Sequence, residues 1–266
     1  MEKKIQTLAS LKTPPKEGFK EAFVLHLADN VLILGQRNAE WCGHGPVLEQ
    51  DIAITNISLD LIGQARNFYQ YAATLINQST HPSISATEDS LCYLRTEREF
   101  KNCLLVEQPN GDWAQTILKQ FLFSNYQYLL YQQMQHHPDE QLAAIAAKAL
   151  KEVTYHLRWS SEWVIRLGDG TEESHNRMLK AIDGLWCYRE ELFEPAAYEL
   201  EAGIDISLIK NEALMKIKEV FDEAGLPVPV NTFMQTGGKE GKHTEYLGYI
   251  LTELQYLQRT YPGAEW

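Results

Sequence analysis

The sequence predicts an all-α fold. Apolar residues recur at spacings of three and four along four long stretches, the period of a helix with a buried face. Helix-capping and helix-breaking residues fall between those stretches. No run of alternating apolar and polar residues reads as a strand.

The first start signal is TPPKEG at 13–18, and helical spacing then continues to about Leu34. CGHGP at 42–46 is a break, and Pro46 suits the first turn of the next helix, where its missing N–H does no harm. That helix runs to about Asn77. Ile54, Ile57, Leu61, Ala65, Phe68, Ala72 and Leu75 line one face of it, and Ile52, Leu59 and Ile62 line another. It is therefore expected to be buried on two sides.

NQSTHPSIS at 77–85 reads as a loop, and a short helix is expected over 87–101. EQPNGD at 107–112 is a turn with Asp112 as N-cap. A third long helix runs from Trp113 to about Gln135, and a fourth, after HHPDE, from about Asp139 to Leu167. GDGTEES at 168–174 ends that helix and starts another through a capping box of Thr171 with Ser174 or Glu173. Helices are expected over 172–192 and 206–224. An irregular segment follows at 225–243, then an amphipathic helix over 244–261 and a terminal PGAEW. Four long antiparallel helices with a crossover region between the second and third make a four-helix bundle of ferritin-like connectivity, with additional C-terminal helices outside it. No Pro/Gly/Ser-rich linker divides residues 1–266, so a single domain is expected.

The charge balance, 24 Lys and Arg against 36 Asp and Glu, disfavours a nucleic-acid binder. Arg95, Arg98 and Lys101 could still form a small basic patch. The most apolar stretch, AFVLHLADNVLIL, is about half a membrane span and contains His26, Asp29 and Asn30, so it reads as a core helix. The N-terminus has no apolar region of signal-peptide length. Cys42, Cys92, Cys103 and Cys187 are scattered and expected to be reduced, buried thiols of a cytoplasmic protein.

A ferritin-like carboxylate bundle holds two metal ions with one lone Glu and one Glu-x-x-His from each helix pair. The spacing places both ligands of a pair on one helix face, and iron held by carboxylate and imidazole keeps open positions for dioxygen. The first helix here offers His26, Asp29 and Asn30. The second offers Asp60-Leu-Ile-Gly63, and Gly63 cannot ligate. The third contains no Asp or Glu between Trp113 and His137, only Gln115, Thr116, Gln120, Ser124, Asn125 and Gln127 among its polar residues. The fourth gives Glu152-Val-Thr-Tyr155, with His156 one residue late and turned about 100° from Tyr155. The remnant, Asp29, Asp60 and Glu152 with Gln120 or Ser124, is a poor site for two cations, so no catalytic, cofactor-binding or metal residue is assigned. The competing reading is an active di-iron site with displaced ligands such as Glu49, Glu152 and His156. Blander roles are also open to these residues. Asp29 and Asp60 could be solvated, or paired with Asn30, Gln64, Arg66 or a neighbouring helix. Glu152 and His156 could form a local pair, and His44 could simply hydrogen-bond within its loop. TGGKEGKH lacks the phosphate-loop pattern.

Several long blocks carry a family resemblance. LADNVLILGQRNAEWCGHGPVLEQDIAITNISLDLIGQAR, REFKNCLLVEQPNGDWAQTILKQFLF, AAKALKEVTYHLRWSSEWVIRLGDGTEESHNRM and HTEYLGYILTELQYLQRTYPGAEW resemble the C subunits of bacterial 1,2-phenylacetyl-CoA epoxidases, from about residue 20 to the end. Those are components of the multicomponent oxygenase of aerobic phenylacetate degradation. The resemblance implies a ferritin-like structural subunit that pairs with a catalytic A subunit of similar fold. It implies a di-iron site in that A subunit, and flavin, iron–sulfur cluster and NADPH in a reductase subunit. No cofactor is implied for this chain, and no catalytic residue of the family can be carried onto it. Partners are then the A subunit and the other epoxidase subunits, with no nucleic acid and no membrane. Whether the chain also forms homodimers when alone is left open. The first two long helices are the expected interface, because the second is apolar on two faces.

Overall fold

The structure is a computed structural model and describes residues 18–80, 85–230, 233–262 and 264. The start signal at 13–17 and most of the terminal PGAEW lie outside the described residues. The loop expected at 77–85 does so in part, since residues 81–84 are not described.

Two helical hairpins form the bundle. α1 (Phe19–Ala39) and α2 (Leu48–Thr80) make the first. They run antiparallel, because Gly35 meets Ser58 and Leu61 near one end while Asp29 reaches Tyr69 farther along. Gly35 marks a close approach there. A Cβ at that position would lie 3.2 Å from both Leu61 Cβ and Ile62 Cγ1. The close approach lets Ser58 Oγ donate to the Gly35 carbonyl at 2.7 Å. α1 is buried nearly all round, with Phe23, Val24, Ala28, Val31, Ile33 and Leu34 covered along with the polar His26, Asp29 and Asn30, as expected of a helix in the middle of a bundle.

A short crossover follows. It contains α3 (Glu88–Tyr93), a 3₁₀ turn at Glu97–Glu99, and α4 (Leu104–Glu107). The helix expected over 87–101 is therefore interrupted at 94–96. Arg95 turns inward there and carries its guanidinium to Asp29 on α1. The second hairpin is α5 (Trp113–Met134) and α6 (Glu140–Gly168). Asp112 caps α5 by accepting from the Gln115 N–H, and Asp139 caps α6 through the N–H groups of Gln141 and Leu142. Trp113 packs edge-on against Trp159 and Trp163, which aligns the start of α5 with the latter half of α6.

α7 (Glu172–Leu185) begins with the reciprocal Thr171–Ser174 capping box. It ends earlier than expected, in 3₁₀ turns at Trp186–Tyr188 and Glu190–Phe193. α8 (Ala197–Glu201) precedes α9 (Ser207–Glu223). The expected final helix is split into α10 (Glu245–Leu254) and α11 (Tyr256–Thr260). Gln255 sits at the break and donates from Nε2 to the carbonyls of Cys92 and Arg95. No strand is present among the described residues, and no helix among them is long and apolar enough to cross a membrane.

Two expectations change. The second apolar face of α2 is largely uncovered, with Leu48 72%, Ile52 52%, Leu59 61% and Ile62 37% exposed. Its apolar periodicity is real, and Ile62 borders α1 beside Gly35. Cys42 is also exposed and Cys187 half-buried, while Cys92 and Cys103 are buried; all four are free thiols.

Candidate functional site

The bundle centre lies where α2, α5 and α6 meet. Gln64 on α2 donates from Nε2 to Glu152 Oε2 on α6 at 2.8 Å. Gln127 on α5 donates to Gln64 Oε1 at 2.9 Å and to the Tyr131 hydroxyl at 3.0 Å. One turn along, His156 on α6 donates from Nε2 to Asp60 Oδ2 on α2 at 3.0 Å. α2 thus presents Asp60 and Gln64, and α6 presents Glu152 and His156, each pair four residues apart and so on one helix face. The cross-pairs use both carboxylates.

The direction of His156 corrects the sequence reading. His156 is the residue that faces inward and is fully buried, whereas Tyr155 is 40% exposed. Glu152 and His156 do not pair with each other, since each reaches across to α2. Burial pushes the Tyr131 phenol up, so it stays protonated.

The other remnant residues lie elsewhere. Gln120 accepts from Asn38 Nδ2 at 2.7 Å and donates to Ser124 at 2.8 Å, in a separate bridge between α1 and α5. Asp29 faces the crossover segment and is fully buried there. It takes the Arg95 guanidinium on both oxygens, the Tyr69 hydroxyl at 2.6 Å and the Lys101 N–H at 2.8 Å. It has no place beside Asp60 or Glu152, and its partners are Arg95, Tyr69 and Lys101 instead of Asn30. Because Arg95 is committed to Asp29, the basic patch considered for Arg95, Arg98 and Lys101 loses its first member. Glu49 is exposed at the start of α2. Its neighbour Gln50 meets Trp159 and Trp163, while Asp60, eleven residues or about 16 Å beyond Glu49, meets His156. Glu49, Glu152 and His156 therefore do not converge. His44 is exposed, with its ring 3.2 Å from the Cys42 carbonyl.

A di-iron centre would need four carboxylates and two imidazoles directed at one point. The residues here do not fit that group. α5 supplies an amide and a phenol, the α2 position three residues after Asp60 that should carry an imidazole is Gly63, with the amide of Gln64 beside it, and the one imidazole is bonded to the carboxylate across from it. No cluster of three or more His, Cys, Asp or Glu able to hold a metal occurs among the described residues.

A second polar centre was not visible in the sequence. Three buried carboxylates hold residues 237–244 against the crossover. Glu107 accepts from His243 Nδ1, the Thr244 N–H and hydroxyl, and Asn102 Nδ2, all between 2.7 and 2.9 Å. Glu191 accepts from the N–H groups of Leu104, Gly237 and Gly238. Glu199 pairs with Lys239 at 3.0 Å. Gly238 presses so closely that a Cβ would lie 2.3 Å from the Asn102 carbonyl. Both nitrogens of His243 face acceptors, Glu107 and the Phe100 carbonyl, which requires the doubly protonated ring. Burial opposes that charge, but Glu107 prevails and the His243 pKa is raised. His26 behaves oppositely: burial holds it down at about 4, its Nδ1 donating to the Lys101 carbonyl. Gly237, Gly238, Lys239 and His243 of TGGKEGKH thus serve a buried clasp, while Lys242 is exposed. Its acids and histidine lie up to 136 residues apart in sequence, beyond the reach of any local motif.

Residues 12–266 match the family described as phenylacetic acid catabolic protein. The C subunit of the 1,2-phenylacetyl-CoA epoxidase of Escherichia coli (strain K12) is 47% identical over 251 residues, covering 92% of this chain and 98% of that protein. The chain belongs to the phenylacetic acid catabolic protein family.

Proposed function

We propose that this chain is a non-catalytic structural subunit of a phenylacetyl-CoA epoxidase in phenylacetate catabolism, pairing with and stabilising a di-iron catalytic subunit of similar fold. The carrying observation is the bundle centre, where Gln64, Gln127 and Tyr131 stand among the residues that a di-iron bundle would devote to metal. The name of the E. coli relative supplies the substrate and the notion of a complex. The exposed face of α2 supports the pairing. Leu48, Ile52, Leu59 and Ile62 follow one another at spacings of four, seven and three, the seam of a helix that packs on another helix. Gly63 lies within that seam, and a Cβ there would meet nothing within 4 Å among the described residues. Glycine in a helix interior costs roughly 1 kcal/mol against alanine, and its use here suits close approach by a partner helix. On this reading the di-iron site belongs to the partner, flavin, iron–sulfur cluster and NADPH belong to a reductase subunit, and the complex is cytoplasmic.

Metal content and turnover, measured on the chain alone and on the chain co-expressed with the catalytic subunit, test the reading. Iron and epoxidation are expected only in the co-expressed complex. Stoichiometric iron with oxygen consumption in the isolated chain, after growth in iron-rich medium, would overturn it.

A further inference from the structure

α6 and α9 part over α5 and leave a groove of about 480 Å³, lined by no residue of α2. Leu129, Leu157, Ile165 and Val220 give it an apolar floor. The polar groups in that floor are already engaged: Asn125 Nδ2 donates to the Ala213 carbonyl and Ser161 Oγ to the Leu157 carbonyl. Few convergent groups remain to orient a small polar molecule, which a small-ligand site needs. The groove is long instead. α6 lines it from Thr154 to Ile165 and α9 from Glu212 to Glu223, each spanning eleven residue steps, or about 16 Å and three helical turns.

The rim carries four carboxylates, Glu162, Glu212, Glu219 and Glu223, against two cations, Arg158 and Lys216. Lys216 bonds Glu219 at 2.9 Å, and Arg158 lies 3.9 Å from Glu162. Glu212 and Glu223 are left at the two ends of the α9 wall with no cation in salt-bridge range among the described residues. α9 also exposes Met215 to 66%, one residue from Lys216 and a turn from Glu212 and Glu219.

We propose that this groove docks an amphipathic helix of a partner protein, apolar on one face and carrying basic residues about eleven positions apart that meet Glu212 and Glu223. Charge complementarity chooses this occupant. A second copy of the chain, with twelve more acidic than basic residues, would bring mostly like charge to an acidic rim. The site is independent of the α2 seam and of the pairing proposed for it.

The test uses the full chain and a fluorescein-labelled synthetic helix of roughly 15 residues, leucine-rich on one face, with two lysines about eleven positions apart. A matched peptide carries glutamates at those positions. By fluorescence anisotropy, the lysine peptide should bind on the order of micromolar and roughly tenfold tighter than the glutamate peptide. The Glu212→Lys/Glu223→Lys double variant should invert that preference. Thr154→Trp, at an exposed position lining the groove, should abolish both. Equal binding of the two peptides, an unchanged preference in the double variant, or binding indifferent to Thr154→Trp would overturn the proposal. So would a concentration-dependent dimer of the wild type that Thr154→Trp dissolves, because the occupant would then be a second copy. These variants leave α2 untouched, so they should still co-purify with the catalytic subunit, and failure of wild-type pairing would count against the proposed function alone.

Discussion

Lys119 allows a quantitative test of the core. It lies on α5 with no exposed surface, and its Nζ donates to the Gln108 carbonyl at 2.7 Å and to Asn110 Oδ1 at 3.0 Å. No carboxylate among the described residues lies within ion-pair distance of it. Burial, with Arg37 adding like charge, lowers its pKa from the ordinary lysine value to about 7. Between pH 7 and the unfolded value near 10.5, the unfolded chain binds more protons at this position than the folded chain does. Stability from this group therefore rises with pH across that window. From pH 7 to pH 9 the native amine goes from half-protonated to neutral, and the gain integrates to about 2 kcal/mol at 1.36 kcal/mol per unit. Lys119→Met keeps the length of the side chain and removes the titration, but it leaves two acceptors without this donor, which costs about 1–3 kcal/mol. Urea unfolding of both proteins at pH 7, 8 and 9 under reducing conditions isolates the effect, because every other titrating group is common to both. The stability difference in favour of the wild type should widen by about 2 kcal/mol over that range. Parallel curves would refute the burial argument for Lys119.

Four further outcomes follow from particular contacts. Leu61→Asp puts an unpaired charge at a fully buried position of α2 and should cost more than about 3 kcal/mol in denaturant unfolding, whereas Leu59→Asp, on the exposed seam, should leave the isolated chain within about 1 kcal/mol of wild type and lose pull-down of the catalytic subunit. Arg95→Met strands Asp29 as a buried carboxylate and should cost about 3–5 kcal/mol; a melting temperature equal to wild type would mean that the pair is not buried in solution. The raised pKa of His243 adds stability that is full below the unfolded value near 6.5 and is lost as pH rises through the folded value. His243→Gln should accordingly be more damaging at pH 6 than at pH 9, and an equal penalty at both would exclude an imidazolium in the clasp. Asp60→Asn keeps an acceptor for His156 and should leave turnover of the reconstituted complex at wild-type level, whereas a folded, assembled but inactive variant would give Asp60 a direct role.

The long helices were legible because each repeats its apolar period over twenty residues or more, and because Asp112, Asp139 and Thr171 carry capping chemistry readable within three residues. α4 and α8 were not, since four or five residues hold little more than one period. The breaks at 94–96 and Gln255 come from tertiary contacts, Arg95 to Asp29 and Gln255 to the crossover carbonyls, that no local pattern announces. The two apolar faces of α2 were read correctly as apolar. Which of them the chain covers depends on where the other helices pack, and periodicity carries no such information. The same limit turned His156 the wrong way. Residues three and four apart share a helix face, so Glu152 left both Tyr155 and His156 as candidates for the inner position, and packing against Asp60 selected the imidazole.

The placement of polar groups has a physical logic of its own. Four carboxylates facing one another in a bundle without a cation would repel and be driven toward protonation, so a bundle that keeps the fold but gives up the ion must change the residues. Amides serve well because each donates and accepts, so they link helices without net charge. Gln64 shows this by accepting from Gln127 on α5 while donating to Glu152 on α6. Buried carboxylates persist in this chain where donors surround them: Asp29 beneath Arg95, and Glu107 and Glu191 against converging N–H groups of the 237–244 segment. Buried ionic side chains thus fasten the crossover to α1 and the C-terminal segment to the crossover, and where α2, α5 and α6 meet, the carboxylates of Glu152 and Asp60 are each bonded across helices by Gln64 and His156. Such a bundle is held in shape by its own contacts, which is the property required of the structural subunit proposed above.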